Sequence, residues 1–272
     1  MPSEGLPPQF NFSRQVSRLR KIPFSALNVD KDPIGKGVFG KCFSGFMSSH
    51  INVCVKAFRT DDRLGYTFPV EAVLTSTLCH SNLPWLYGLS EYGPRKMLVF
   101  SFHGINGKSY TVHQALRTNC QDLSIEINWK VILFGMVSAL KYIHTNNILH
   151  NDIKSDNIMI DNRSTVPQSV LIDFGKGCFI SDGKVYKLSL AEQRRYAIEH
   201  PQVAPDLRDG HCRQSQYSDV YSLGRVIKQI NDKFLHIPFV ASHASLCNQY
   251  ICTKRPSTDD LFNSMQRMLM SG

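Results

Sequence analysis

An α+β fold is what the sequence predicts, and three observations predict it. Two runs, Lys41-Cys42-Phe43-Ser44-Gly45-Phe46 and Ile51-Asn52-Val53-Cys54-Val55-Lys56-Ala57-Phe58, carry the β-branched and aromatic content of antiparallel strands. Residues 70–78 read as a helix with Leu74 and Leu78 on one face. Residues 129–144 are apolar on most sides, as expected of a buried helix.

The first strand pair opens on Ile34-Gly35-Lys36-Gly37-Val38-Phe39-Gly40, which reads as strand, tight turn, strand. Glycines at these positions let backbone N–H groups approach phosphate oxygens with no Cβ in the way. A dinucleotide-binding loop would need a helix straight after the glycines, and here a strand follows. Taken alone, the run is equally a hairpin turn. Lys56 falls on the next strand, where an inward-facing ammonium needs a counter-charge. Glu71, in the helical stretch, supplies one, and the pair would aim Lys56 at nucleotide phosphates.

The chemistry is concentrated further on, in Leu149-His150-Asn151-Asp152-Ile153-Lys154-Ser155-Asp156-Asn157 and then Asp173-Phe174-Gly175. Phosphoryl transfer needs a group to orient the attacking hydroxyl, cations to spread charge, and oxygen ligands to hold those cations. Asp152, Lys154, Asn157 and Asp173 are such groups. A lone Asp-Phe-Gly is weak, and Asp-x-Lys-x-x-Asn is moderately specific; their order and separation carry the reading. Buried aspartates also cap backbone N–H groups. That structural role is the reading for Asp219, and metal binding is the reading for Asp173.

With these residues in order, the chain resembles the eukaryotic-type protein kinase family, from about Ile34 to Met268. The resemblance continues through Ala204-Pro205-Asp206, Asp219-Val220-Tyr221-Ser222-Leu223-Gly224 and Lys254-Arg255-Pro256-Ser257, where Arg255 is expected to pair with Asp206. It implies a two-lobed kinase fold, a strand-rich N-lobe (residues 29–103) and a helical C-lobe (104–272) with ATP between them, preceded by a basic extension (1–28). It implies roles as well. Asp152 and Lys154 are catalytic, and Asn157 and Asp173 hold magnesium. The nucleotide is bound by Ile34, Gly35, Lys36, Gly37, Val38, Phe39, Gly40, Cys42, Cys54, Lys56, Glu71, Phe100, Phe102 and Met159. Phe100 takes the gatekeeper place and Ser101-Phe102-His103 the hinge. Cys42 and Cys54 stand where the family has valine and alanine, facing the adenine ring, with Met159 opposite. Lys154 is similar to the Ser/Thr kinases, here of the tyrosine-kinase-like branch, so the expected reaction transfers the ATP γ-phosphate to a protein serine or threonine.

Several positions depart from the family pattern. Asn151 replaces the arginine before the catalytic aspartate, which removes a cation that receives activation-loop phosphate. Asp206 replaces glutamate and shortens the reach to Arg255 by a methylene. Thr75 replaces an apolar residue expected to stack with Leu86, Phe174 and His150. Residues 219–255 are short for the family, so a substrate-docking helix is expected to be reduced. These departures keep open an alternative, a nucleotide-binding pseudokinase scaffold with little turnover. A basic-surface binding module is the third reading.

Composition fits a globular chain of 272 residues, with 42% hydrophobic residues and no apolar run of the ~20 residues needed to span a bilayer. The polar, proline-rich start carries no signal-peptide core, so a cytoplasmic or nuclear location is expected. The eight cysteines form no C-x-x-C pair. Cys247 and Cys252 with His236 and His243 have poor spacing for zinc, and reduced thiols are the better reading. The net charge of +9 and the run Arg14-Gln15-Val16-Ser17-Arg18-Leu19-Arg20-Lys21 admit an acidic partner. The favoured reading is a basic extension packed on the small lobe, with no role in nucleic-acid binding.

Overall fold

The computed structural model describes residues 12–60, 67–118, 123 and 126–270. The chain divides into two compact units: the first takes in the described residues up to Thr77 together with Leu86–Phe100, and the second takes in Leu78–Trp85 and those from Ser101 onward. Most of the proline-rich start, and Cys120, lie outside the described residues.

The first unit is built on one sheet. Its strands are β1 (Leu27–Val29), β2 (Gly35–Lys36), β3 (Gly40–Met47), β4 (Ile51–Phe58), β5 (Leu86–Tyr92) and β6 (Arg95–Ser101), in the order β1-β3-β4-β6-β5 with β2 also on β3. Strand side chains alternate between faces, and β4 shows what that decides. Val53, Val55 and Ala57 point into a cluster with Ile22, Leu27, Met47, Met97 and Val99. Cys54 and Phe58 belong to the opposite cluster, with Phe39, Phe68, Ala72, Leu98 and Phe100. Lys56 shares the parity of Cys54 and Phe58, and so it faces the helix that brings Phe68 and Ala72.

That helix is α2 (Thr67–Ser76), preceded in the chain by the short α1 (Phe12–Val16), which packs on it. α2 stops short of the expected Leu78. Thr75, Ser76 and Thr77 turn their hydroxyls back onto the carbonyls of Glu71, Val73 and Leu74 at 2.6, 2.8 and 2.8 Å. Such bonds compete with helix propagation, and β-branched residues weaken it further. Residues 20–22 are tied to β5, with Leu89 N–H donating to the Arg20 carbonyl (2.8 Å) and Ile22 N–H to the Leu89 carbonyl (2.7 Å).

The second unit is helical. α3 (Val112–Arg117) is followed by the 20-residue α4 (Glu126–Thr145), which buries Trp129, Ile132, Leu133, Met136, Val137, Leu140 and Ile143. α4 packs against β9 (Gln168–Leu171) and the C-terminal α9 (Thr258–Met270), whose Leu261, Met265 and Met268 recur at helical spacing. Two small ladders flank residues 150–157: β7 (Ile148–Leu149) with β10 (Cys178–Phe179), and β8 (Ile158–Asp161) with β9. Then come α5 (Leu190–Glu199), α6 (Pro205–Arg208), α7 (Gln216–Ile230) and α8 (Pro238–Cys247), with α7 and α8 packed together. A five-residue π-helical turn, Asn231–Leu235, joins α7 to α8 and stacks Phe234 on Trp129 at a ring separation of 4.0 Å. No helix among the described residues is long and apolar enough to cross a membrane.

Candidate active site

In the first unit the glycine run forms a hairpin. Gly35 pairs with Cys42 across β2 and β3, and Gly37 N–H donates to the Gly40 carbonyl at 2.9 Å. The glycines are needed for different reasons. A Cβ on Gly37 would meet open space, as a backbone kept clear for a ligand requires, whereas one on Gly40 would fall on the Ala57 carbonyl of the neighbouring strand. Ile34, Gly35, Lys36 and Val38 are exposed, and Phe39 is half-buried. Lys56 Nζ lies 2.7 Å from both Glu71 oxygens, and the pair is buried. The Phe39 and Phe58 rings sit 5.9 and 5.4 Å from the ammonium. Cys42 and Cys54 are neighbours on adjacent strands, and their contact, then burial, holds the Cys54 thiol well above its ordinary pKa. Phe100 is buried in the same cluster as Phe39 and Cys54.

In the second unit the side chains expected to carry phosphoryl transfer converge on Asp152. The Asp152 carboxylate is buried, with Lys154 Nζ 3.3 Å from Oδ2 and Lys176 Nζ 3.1 Å from Oδ1. Asn157 Nδ2 donates to the Asp152 carbonyl at 2.8 Å and to Oδ2 at 3.3 Å. Asp173 sits at φ +69° and accepts the Gly175 N–H at 3.2 Å, while Phe174 is fully buried against the His150 ring. Phe102 and Met159 are buried in this unit as well.

The loop is held in a strained conformation by groups below it. Asn151 has φ +62°, a left-handed conformation that asparagine tolerates better than most side chains. Asp219 accepts the N–H groups of His150 and Asn151, both at 2.8 Å, which is the structural role expected of it. Burial lowers the His150 pKa, against the pull of Asp219 and other nearby carboxylates. The neutral ring donates from Nε2 to the Ile172 carbonyl (3.0 Å) and accepts the Asp152 N–H at Nδ1 (3.3 Å). Asn151 Nδ2 reaches the Lys176 carbonyl at 3.1 Å, so Asn151 ties the loop to the segment after Asp-Phe-Gly without adding charge.

A protein kinase domain model matches residues 29–264. The chain belongs to the protein kinase family. Among plant receptor-like kinases of Arabidopsis thaliana, it is 31% identical over 206 residues to cysteine-rich receptor-like protein kinase 34, covering 74% of this chain and 29% of that one. It is 31% identical over 212 residues to an LRR receptor-like serine/threonine-protein kinase, covering 74% and 19%. This kinase domain therefore spans less than a third of the length of either relative.

Sequence reasoning missed Lys176, although a cation directly after Asp-Phe-Gly was a readable signal. It also missed a network in which His103 Nδ1 lies 2.6 Å from Asp161 Oδ2 and His103 Nε2 lies 2.8 Å from Ser101 Oγ. Burial alone would raise the Asp161 carboxyl, but hydrogen bonds from His103 and Arg163 outweigh it and bring it down to about 2. Nothing in the local sequence announces that pairing. Arg255 and Asp206 meet at 2.6 Å, fully buried, so the shorter acid still reaches.

Proposed function

We propose that this kinase domain is an ATP- and magnesium-dependent enzyme that phosphorylates serine or threonine hydroxyls of a protein substrate. The observation that carries the reading is the buried Asp152 carboxylate, steadied by Asn157 and flanked by Lys154. Asp152 orients the acceptor hydroxyl and takes its proton, and Lys154 faces charge on the transferred group. Asn157 and Asp173 offer the hard oxygen ligands magnesium prefers, and Asn157 turns its Nδ2 rather than its oxygen toward Asp152. Bound there, magnesium would neutralise phosphate charge. Lys56, fixed by Glu71, binds the non-transferred phosphates. Cys42, Cys54 and Phe100 of the first unit supply apolar surface for adenine. A reducing compartment, cytosol or nucleus, completes the reading, with the eight cysteines as thiols. The net charge of +9 fits an acidic protein partner.

The test is magnesium-dependent ATP turnover with a generic protein acceptor. Asp152→Asn should abolish turnover while leaving ATP binding nearly intact, and Asp173→Asn should also lose magnesium-dependent nucleotide affinity. One observation favours a second reading, a nucleotide-binding scaffold: Lys176 occupies the Asp152 Oδ1 that an acceptor would use. Equal phosphorylation by wild type and Asp152→Asn would select it.

A further inference from the structure

Two thiols in the second unit stand side by side where the proposed phosphoryl-transfer chemistry makes no use of them. Cys212 Sγ and Cys252 Sγ are 3.3 Å apart, and a carboxylate oxygen of Asp206 lies within 4.8 Å of both. The three come from separate stretches: Asp206 from α6, Cys212 from the loop before α7, and Cys252 from the turn Cys252–Lys254.

Their placement is set by groups other than themselves. The Asp206 main-chain carbonyl accepts the N–H groups of His211 (2.9 Å) and Cys212 (3.2 Å), which pins Cys212 beside the aspartate. Arg255 donates to the carbonyls of Gln249 (2.8 Å), Tyr250 (2.9 Å) and Tyr217 (3.1 Å) and to Asp206 Oδ1 (2.6 Å). Its own N–H donates to the Cys252 carbonyl at 3.0 Å, which fixes the turn carrying the second thiol. Ligand positions held by a surrounding hydrogen-bond frame are what a preformed metal site requires.

We propose that Asp206, Cys212 and Cys252 bind one thiophilic divalent cation of the zinc class, with water in the fourth position. Tetrahedral zinc with Zn–S bonds of about 2.3 Å sets the sulfurs about 3.8 Å apart, so these thiols need part by only about 0.5 Å. A disulfide would need them to close by about 1.3 Å, and it makes no use of the carboxylate. Charge also balances. Asp206 and Arg255 already cancel, and the two thiolates cancel the dication. Uptake is then two thiols plus M²⁺ giving a dithiolate complex plus two protons. Cys212 and Cys252 are half-buried, which leaves a path for the ion. Sulfur ligands select against magnesium, so the site does not compete with the metal of catalysis.

The experiment titrates the chelator-stripped full chain with zinc, and separately with cadmium, by calorimetry and ultraviolet absorbance. One equivalent should bind with release of two protons, a cadmium–thiolate absorbance and a higher melting temperature. Cys252→Ser, shown folded by circular dichroism, should lose that equivalent. Cys42→Ser should keep it, which separates this site from the thiol pair of the first unit. Equal uptake by wild type and Cys252→Ser overturns the proposal, as does loss in Cys42→Ser instead. So does a peroxide-formed Cys212–Cys252 disulfide in a chain that takes up no zinc when reduced. Should Cys252→Ser not fold, cadmium NMR of the wild type decides, since its shift counts thiolate ligands and an oxygen-only shift overturns the site.

Discussion

Each unit buries an ion pair, and the two pairs are built differently. Lys56–Glu71 joins one strand to one helix through a compact ammonium bordered by aromatic rings. Arg255–Asp206 is stitched into the backbone: its guanidinium also holds the carbonyls of Tyr217, Gln249 and Tyr250, with the Tyr221 ring 5.0 Å away. Arginine's rigid fork suits a fixed multi-segment joint, and lysine's point charge suits a group that must meet a ligand. Two buried pairs of similar length are therefore built for different work: one stitches backbone segments together, and the other, on the function proposed above, presents its ammonium to phosphate.

Arg255→Ala gives the largest effect expected from this contrast. It leaves Asp206 buried and uncompensated and frees three carbonyls, and should cost about 3–5 kcal/mol in chemical denaturation. A loss under about 1 kcal/mol would put the two pairs in one class. Lys56→Met combined with Glu71→Leu tests the other side. Removing both charges should leave stability unchanged or higher, while turnover falls at least about a hundredfold, or roughly 2.7 kcal/mol of barrier. A parallel collapse of stability would show Lys56–Glu71 to be architectural too.

Lys176→Met is a smaller probe. The Lys176 side chain is 41% exposed, so its pairing with Asp152 contributes at most about 1 kcal/mol. Lifting its competition for Oδ1 should raise turnover by less than about fivefold. A fall beyond that would assign Lys176 to the transferred phosphoryl. The smallest effect at neutral pH is acid sensitivity of the second unit. The folded-state pKa of His150 lies below 6.5, so the unfolded chain binds the proton first and stability declines as pH drops below 6.5. Asp161 adds stability that is full above pH 3.8 and lost between 3.8 and about 2. Trp129, buried in that unit, reports both through fluorescence, and a melting temperature flat from pH 7 to 5 would remove His150 from the account.

Much of the candidate site was legible because its members are close in the chain. Asp152, Lys154 and Asn157 fall within one short loop, and the parity of β4 separates Lys56 from Val55 and Ala57 without reference to any partner. The counter-charge for Lys56 could be sought on the next helix. Apolar spacing alone extends α2 to Leu78, but hydroxyl groups in its last turn compete for its carbonyls and the helix ends at Ser76.

By itself, the sequence determined the α+β class, the order of the candidate functional groups along the chain and the alternation of neighbouring side chains along a strand, since those follow from short-range spacing. The tertiary structure alone decided that Lys176 rests on Asp152, that His103 finds Asp161, and that Cys212 meets Cys252 beside the carboxylate of Asp206. Periodicity constrains neighbours within a turn or a strand; partners tens of residues apart are chosen by how whole elements pack, and by which buried polar groups that packing leaves to be satisfied.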